Sequence, residues 1–418
     1  MTSTSPSQSA PANRGVAFQD ALQAAAEIAA YSPSSHNCQP WGVGWAIGAA
    51  ARHTAVALLA DTAEQTGAGC GPAARNEVEY LVLALDRARQ LTALSSHGVE
   101  MLVSCGAYGE ILLRALAAQG WRADRVRFVD PAPAAHGLKD DDPDRIFGGR
   151  WPRAWMPLCV VRLSHAPTPS GDLAELRDTV RARHTNRGPY RPDRIEPAVL
   201  AGLSTTRSGL SLFRAAPGGD SEVTVRHVVA DAERAAVGDL VSRHGGRDFS
   251  HRAAWRETHS FIRRDEADAE TSGDGFTLGQ LFGPMSPPRR FGMRIALAPV
   301  TMRILRHVGY HRILARQLAA MVRCSPAAVA LCFDDGAPGA ESVVRGGAVL
   351  ADYWLGATRA GLVLHPVSVI LQHDDVRAEL EQRLGLPGRA FFVSRLGHAV
   401  TAFPPSRRLA ASHALRLV

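Results

Sequence analysis

Uncharged hydrogen-bonding side chains are concentrated near the start of the chain, in the segment SPSSHNCQPW (32–41). The residues of interest are Pro33, Ser34, Ser35, Asn37 and Gln39. Their hydroxyls and amides offer many donors and acceptors but no formal charge. That set suits a polar heterocycle with a polyol tail better than a metal ion or a nucleophile. An Asn/Ser-rich turn that caps a neighbouring helix is the alternative, and the residues alone leave both interpretations open.

A second concentration of chemistry lies in the segment RHTNR (183–187). Successive side chains of an extended segment point to opposite sides, so Arg183, Thr185 and Arg187 project to the same side. Two guanidiniums that flank a hydroxyl suit a phosphate group, because arginine presents paired planar donors to phosphate oxygens. Basic residues at a helix end also complement the helix dipole, and this second interpretation stays open.

Apolar periodicity indicates the elements that position these two segments. A helix is predicted from Phe18 to Tyr31, and it must end before Pro33 because the residue preceding proline disfavours helical angles. A strand is predicted at 43–47, directly after the polar segment. The basic segment is expected to follow a helix over 172–183. Each segment is therefore predicted to be a loop at the end of a helix.

The remaining pattern predicts an α+β chain. Strands or extended runs are predicted at 55–60, 126–129, 157–163, 327–332, 366–371 and 391–395, and helices at 196–203 and 375–384. Gly106-Ala107 and Gly347-Ala348, 241 residues apart, are each predicted to open an apolar helix that closes at Gly120 or Gly361. This spacing favours a duplicated half.

Two further clusters are interpreted as loops. The glycine-rich stretch 66–72 has Pro72 where a dinucleotide-binding fingerprint needs its third glycine, so it is predicted to be a loop before a helix near Ala73. The acidic run 140–144 is predicted to be a solvated loop in preference to a metal site.

Composition sets the broad class of the protein. At 418 residues with 46% hydrophobic side chains, the chain is long enough for two domains. No apolar run approaches the roughly 20 residues that span a bilayer. Residues 1–14 are predicted to be a disordered tail without a signal peptide, which favours a cytoplasmic location. Six scattered cysteines argue against a zinc site, and the net charge of +7 indicates anionic cofactors or substrates better than nucleic acid.

The pattern Pro-Ser-Ser-x-Asn-x-Gln-Pro-Trp at 33–41 resembles the flavin loop of the nitroreductase family, which binds FMN. The segment 183–187 resembles the Arg-x-Ser-x-Lys/Arg segment with which that family contacts the FMN phosphate and ribityl chain. Over its full length the chain resembles the Acg-like branch, in which two nitroreductase-like halves are fused. The resemblance implies an α+β fold duplicated in one chain, a pseudo-twofold, dimer-like monomer.

The placement of the two motifs predicts a single cofactor site. The flavin loop lies in an N-terminal half (15–165) that has no basic motif before Phe18. The clamp lies in a C-terminal half (171–418) whose helix over 196–203 is not followed by a second flavin loop. The two motifs would therefore meet across the interface between the halves, and the other pseudo-symmetric site would be inactive. One FMN per chain is the expectation.

Three C-terminal features extend the resemblance. The run from Gly361 to Ser368 resembles the family's strand beside the flavin N5 edge, which implies that Ser368 contacts the cofactor. Arg407 stands where family members place a last basic residue on the phosphate. The region 232–304 resembles a lid, whose pocket-lining candidates are Trp255, His259, Phe261 and Phe276, with an ordinary core role as the alternative for each.

The expected function is that of an FMN-dependent oxidoreductase. Hydride would move between NADH, NADPH or a small metabolite and a nitro, quinone or O2 acceptor. The alternatives are an FMN-sequestering protein without reductase turnover, and an oxygen-dependent flavin dehydrogenase that tailors a metabolite. His36 and Cys38 are interpreted as structural, and no catalytic residue or metal is assigned. Expected partners exclude nucleic acid and membrane, and the chain is expected to be a monomer or a weak dimer.

Overall fold

The computed structural model describes residues 12–60, 78–129, 147–166, 168–205 and 223–418. The strands, in chain order, are β1 (Trp41–Trp45), β2 (Val78–Asp86), β3 (Trp121–Phe128), β4 (Trp155–His165), β5 (Val223–Val228), β6 (Ile262–Arg263), β7 (Phe276–Thr277), β8 (Ala327–Phe333), β9 (Val363–Pro366), β10 (Ala390–Gly397) and β11 (Leu415–Leu417).

The α-helices are α1 (Ala12–Ala29), α2 (Ala49–Ala60), α3 (His97–Ala117), α4 (Leu173–Ala182), α5 (Pro197–Thr205), α6 (Asp231–His244), α7 (Gly246–Ser250), α8 (Arg252–Ser260), α9 (Glu266–Ser272), α10 (Leu278–Phe282), α11 (Pro287–Leu297), α12 (Pro299–Leu305), α13 (Tyr310–Arg323), α14 (Ala340–Arg359) and α15 (Asp374–Leu384). Short 3₁₀ turns lie at Ser35–Asn37, Arg87–Arg89, Arg306–Val308, Ser368–Ile370 and Ala411–His413. The chain is thus α+β, as expected.

Two antiparallel sheets have the same internal order. In the first sheet the strands run β11-β1-β2-β4-β3, and in the second β5-β8-β10-β9. Without β11, both sheets place their strands in the order first, second, fourth, third, and every one of those neighbours is antiparallel. The extra strand β11 comes from the C-terminal end of the chain and pairs parallel with β1. It therefore ties the last residues of the chain to the first sheet.

The two long helices α3 and α14 cross at a pair of glycines. A Cβ on Gly106 would lie 1.9 Å from the Val344 carbonyl oxygen, and one on Gly347 would lie 2.1 Å from that of Val103. Each contact maps onto the other under the 241-residue offset. Only glycine permits so close an approach of two helix backbones. Arg114 of α3 adds an ion pair across the crossing, 2.5 Å from Asp352 of α14.

The lid region (232–304) folds mainly as short helices, α6 to α12, together with the two-stranded ribbon β6–β7. Its helices bury Trp255, Leu278, Leu297 and Met302 in a cluster of their own. Helix α13 continues beyond it and packs on α6. The lid region therefore has a small core of its own, and its helix α6 also packs Val237, Leu240 and Val241 against the second sheet.

Several sequence-based predictions of local structure are wrong. The predicted strand at 55–60 is the end of helix α2, whose alanine-rich start at Ala49 has high helix propensity. Residues 368–370 of the predicted extended run form a 3₁₀ turn. Helices α3 and α14 begin nine and seven residues before the glycines 106 and 347 that were expected to open them.

The helices around the two motifs agree better with prediction. Helix α1 buries Phe18, Leu22, Ala25 and Ala29 at helical spacing and ends before Pro33. It begins at Ala12, inside the stretch 1–14 that was predicted to be disordered, and the rest of that stretch lies outside the described residues. The glycine-rich stretch 66–72, the expected helix start near Ala73 and the acidic run 140–144 also lie outside them.

Candidate cofactor site

A cavity of about 410 Å³ lies between the loop after α1, the segment 183–187, strands β9 and β10, and the lid region. Eight of the ten residues expected to contact the cofactor line it: Pro33, Ser34, Ser35, Asn37, Arg183, Thr185, Arg187 and Ser368. Arg183 Nη2 also donates a 2.6 Å hydrogen bond to the carbonyl oxygen of Tyr31, which lies just before the polar segment. The structure therefore brings together motifs that lie 150 residues apart in sequence.

The loop after α1 is held in an unusual backbone conformation. His36, Asn37 and Gln39 have φ angles of 51°, 54° and 52°, in the left-handed region that residues other than glycine rarely adopt. Ser34 Oγ accepts a 3.1 Å hydrogen bond from the Gln39 backbone N–H and closes the turn. Strained backbone of this kind is tolerated where the surroundings over-determine it, often at ligand sites.

The amides of Asn37 and Gln39 bind protein groups. Asn37 Nδ2 donates to the carbonyl oxygens of Gly275 (3.0 Å) and Arg407 (2.8 Å). Gln39 Nε2 donates to the Gly273 carbonyl oxygen (2.8 Å), and Gln39 Oε1 accepts from the Leu409 N–H (3.0 Å). These bonds fix the loop to the lid region and to the C-terminal segment. Gln39 does not line the cavity, unlike Asn37.

The basic segment places its arginines in the cavity wall without carboxylate partners among the described residues. Arg183 stacks over the Trp354 ring at 4.8 Å, and its Nε is buried with no hydrogen-bond partner. Arg187 lies over the Phe276 ring at 5.6 Å. Burial lowers the pKa of Arg183 to about 9, with Arg408 contributing, and lowers that of Arg187 to about 10. Buried guanidiniums of this kind are expensive unless an anion compensates them.

The structure places Arg408, and not Arg407, in this cavity. Burial lowers the pKa of Arg408 to about 10, its Nε has no hydrogen-bond partner, and its guanidinium donates to Asn37 Oδ1. Arg407 is exposed and faces a separate surface cavity that also contains Glu266 and Glu270. Arg408 lines both cavities, whereas Arg407 lines only the surface cavity. Sequence reasoning chose Arg407 for the phosphate, and that assignment stays a prediction, with Arg408 as the member of the pair in this wall.

Aromatic and aliphatic side chains form the rest of the wall. Trp354, Phe391 and Phe392 come from the second half, and Phe276 and Trp255 come from the lid region. Of the four lid candidates, Trp255 and Phe276 line the cavity, whereas His259 and Phe261 do not. Ser368 lies at the 3₁₀ turn after β9. Apolar walls with a few convergent polar groups are typical of small-molecule pockets.

Sequence reasoning did not find Glu100, a carboxyl in this wall. Glu100 Oε1 accepts a 2.7 Å hydrogen bond from Gln372 Nε2, and Ser96 Oγ donates to Gln372 Oε1. Glu100 Oε2 is buried and unpartnered among the described residues. Burial raises the pKa of Glu100, with His97 acting against that shift. The sequence around Glu100 does not indicate a site residue, because its hydrogen-bond partner Gln372 lies 272 residues further along the chain.

His36 and Cys38 are both uncharged in this environment. Burial, His97 and Arg187 lower the pKa of His36 to about 3, and its Nε2 lies 3.2 Å from Thr258 Oγ1. Burial raises the pKa of the Cys38 thiol, which excludes a thiolate at neutral pH. No cluster of His, Cys, Asp or Glu in the described part of the chain could hold a metal ion. The site therefore offers cationic, amide and aromatic groups to a ligand.

Sequence comparison identifies the family. The chain is 30% identical over 395 residues to a protein from Serratia sp. named "Probable NAD(P)H nitroreductase PigM", which covers 94% of this chain and 92% of PigM. The chain belongs to the nitroreductase family. The family expected from the two motifs is therefore confirmed.

Two other comparisons cover less of the molecule. This nitroreductase-family chain is 31% identical over 195 residues to acg of Mycobacterium tuberculosis, also named as an NAD(P)H nitroreductase, across 45% of this chain and 49% of acg. NfnB of Mycobacterium smegmatis, solved as an FMN-dependent nitroreductase in complex with NADPH, aligns with a TM-score of 0.37 at 15% identity over 59% of this chain and all of its own. That TM-score adds nothing to the sequence match. No family model matches the chain.

Proposed function

We propose that the cavity holds one FMN and that the chain is an FMN-dependent oxidoreductase. The observation that carries this proposal is the set of guanidiniums of Arg183, Arg187 and Arg408 in one cavity wall, without a carboxylate partner among the described residues. A phosphate monoester would compensate their charge and supply acceptors for the unpartnered Nε atoms of Arg183 and Arg408. Thr185 would add a hydroxyl to the same end.

The remaining wall fits the rest of the cofactor. The apolar surface of Trp354, Phe391 and Phe392 suits a planar ring system. Ser34 and Ser35 offer hydroxyls for a polyol chain, and Ser368 lies in the turn after β9, the strand that the family resemblance places beside the flavin ring. The volume of about 410 Å³ lies within the range of cofactor pockets.

We also infer that the chain consists of two fused nitroreductase-like halves. The shared strand order of the two sheets supports this, and so does the reciprocal contact of Gly106 with Val344 and of Gly347 with Val103. In such a chain the flavin loop of one half meets the clamp of the other. Loss of the complementary loop and clamp leaves one site where a symmetric dimer has two.

The chain's own residues would then bind and orient the cofactor and exclude water from it. Bound FMN would supply hydride exchange with NADH or NADPH and with a nitro, quinone or O2 acceptor. The arginines would hold the phosphate, and Trp255 and Phe276 of the lid region would shield the cavity from solvent. Glu100 lines this cavity and can hold a proton there, because burial favours its neutral form against the opposing effects of His97 and Ser35.

Two other functions remain as candidates. The attachment of the loop to Gly273 and Gly275 of the lid region favours FMN sequestration, because it leaves the cofactor covered. The Glu100 carboxyl favours the reverse direction, an oxygen-dependent dehydrogenation, because its ionised form can take up a substrate proton and burial then stabilises the neutral carboxyl. Both candidates need the same cofactor site.

An absorbance spectrum tests the proposal. The purified chain reconstituted with FMN is expected to bind it, to bleach when NADPH or NADH is added without oxygen, and to recover its colour in air. Flavin that is bound but not bleached would overturn the NAD(P)H reductase and support one of the two other functions. Failure to bind FMN would overturn the whole proposal.

A further inference from the structure

The outer face of helices α11 to α13 exposes apolar side chains to an unusual degree. Among the described residues, the four large apolar side chains that are more than 60% exposed all lie here: Phe291 (65%), Val300 (69%), Ile304 (65%) and Val308 (75%). Ile295 and Ile313 add to them at 51% and 46%. We call these six residues the apolar face. Scattered exposed apolar residues are ordinary on a protein surface, but a concentration of this kind marks an interaction site.

The apolar face is not part of the core of the lid region. The same helices bury Leu297 and Met302 against Trp255 on their inner side, and Leu297 and Leu314 line the cavity. Phe291 and Ile295 lie four residues apart on α11, and Val300 and Ile304 lie four apart on α12. Each helix therefore carries a second apolar stripe in addition to the one that it buries.

The stretch of sequence that carries the apolar face is rich in arginine and contains no acidic residue. The stretch 275–333 contains no Asp or Glu and eight arginines. All eight are exposed: Arg289, Arg290, Arg294, Arg303, Arg306, Arg312, Arg316 and Arg323. The eighth, Arg323, pairs with Asp239 at 2.6 Å. A surface of Phe, Ile and Val side chains among arginines is complementary to an anionic interface with an apolar interior.

We propose that the apolar face docks on the surface of an anionic membrane, with the arginines of this stretch on lipid phosphates. Side chains that protrude singly can insert into a fluid acyl layer without preformed pockets. A protein partner would have to provide a pocket for each of them. A second copy of this chain would bring its own arginines against these, so charge disfavours self-association through this face.

This proposal revises the expectation of no membrane partner. That expectation rested on the absence of an apolar run long enough to span a bilayer, and no helix of the described residues is long and apolar enough to cross one. Surface docking needs only short helices that lie in the interface.

Because α11 and α13 also line the cavity, docking would place the cavity next to the acyl layer and favour an apolar acceptor. Docking itself does not depend on the proposed cofactor chemistry.

Vesicle flotation of the full chain tests the proposal. The chain is expected to float with vesicles of equal phosphatidylcholine and phosphatidylglycerol and to stay behind with pure phosphatidylcholine vesicles. Replacing Arg290, Arg294 and Arg303 together by Gln should weaken partitioning on the order of 100-fold, at about fivefold for each charge near the surface. High salt should weaken it in the same direction.

A matched pair of triple variants separates insertion from a general effect of surface polarity. Phe291→Ser, Ile304→Ser and Val308→Ser together should reduce flotation at least about tenfold. Val56→Ser, Val229→Ser and Val400→Ser together change side chains that are 47%, 48% and 59% exposed elsewhere and should leave it unchanged. Equal loss in both triple variants would overturn the proposal.

Two further results would overturn it. One is failure of the folded full chain, checked by its thermal transition, to float with either type of vesicle, which would point to a soluble partner. The other combines two observations. The wild-type chain does not float, and it self-associates with rising concentration in sedimentation, an association that the Phe291, Ile304 and Val308 substitutions abolish. The apolar face would then be an interface between copies.

Discussion

Arg407 and Arg408 are adjacent in sequence, yet only Arg408 faces the cavity. We expect Arg408→Met to weaken FMN binding about 10- to 150-fold, because a hydrogen bond to a charged group contributes about 1.5–3 kcal/mol. Arg407→Met is the matched control and should change the Kd less than about twofold. Titration by quenching of FMN fluorescence measures both. Equal effects of the two substitutions would contradict the placement of the phosphate beside Arg408.

Glu100 makes stability depend on pH in a defined direction. Its folded-state pKa is raised above the unfolded value of 4.5, so the stability that it contributes is complete below that pH and is lost as the pH rises through the folded pKa. We expect Glu100→Gln to have a higher Tm than wild type at about pH 8, with the difference vanishing near pH 4. Thermal unfolding of the FMN-free chain measures it.

An exposed carboxyl provides the control for this pH effect. Glu196→Gln, which changes an exposed side chain outside the cavity, should not raise the Tm at about pH 8 as Glu100→Gln does. A difference between Glu100→Gln and wild type that grows as the pH falls would contradict the raised pKa. The cavity wall would then hold Glu100 in its charged form.

At the scale of elements, the crossing of α3 and α14 depends on two glycines. Gly106→Ala would place a Cβ 1.9 Å from the Val344 carbonyl oxygen, and Gly347→Ala would place one 2.1 Å from that of Val103. Overpacking of this kind costs about 1–3 kcal/mol or more. Gly98→Ala in the same helix meets nothing within 4 Å and should stabilise by about 0.5–1 kcal/mol. Urea unfolding compares them, and a Gly106→Ala variant as stable as Gly98→Ala would contradict the crossing.

Local signals were sufficient for part of this architecture. The ends of the helices that precede the two motifs follow from proline placement and apolar periodicity, which act over a few residues, whereas the roles of the motifs come from their resemblance to the family. The hydrogen-bond acceptors of the Asn37 amide could not be predicted, because Gly275 and Arg407 lie 238 and 370 residues away. Strand β11 is only three residues long and exists through its pairing with β1. The lid region shows no clear apolar periodicity, because helices such as α11 and α12 carry apolar residues on both a buried and an exposed face.

For the whole molecule, we infer that the division of the motifs between two fused halves determines the number of sites. The loop after α1, Arg183 and Arg187 line the same cavity. Helix α5, which follows the clamp, ends in Ser204 and Thr205, and the sequence after it has no second Pro-Ser-Ser segment. Two fused halves would then keep the contacts of a dimer interface with one functional site.

Stoichiometry tests this argument directly. Titration of the full chain with FMN should reach equivalence at one FMN per chain, because a single set of loop and clamp is present. The double substitution Arg183→Met and Arg408→Met should abolish that equivalence completely. If a second, pseudo-symmetric site were active, wild type would bind two FMN and the double variant would keep one. Equilibrium dialysis with absorbance detection distinguishes the two cases, and the variant's thermal transition verifies that it is folded. Binding of one FMN by both the wild type and the double variant would show that the cofactor site lies elsewhere in the chain.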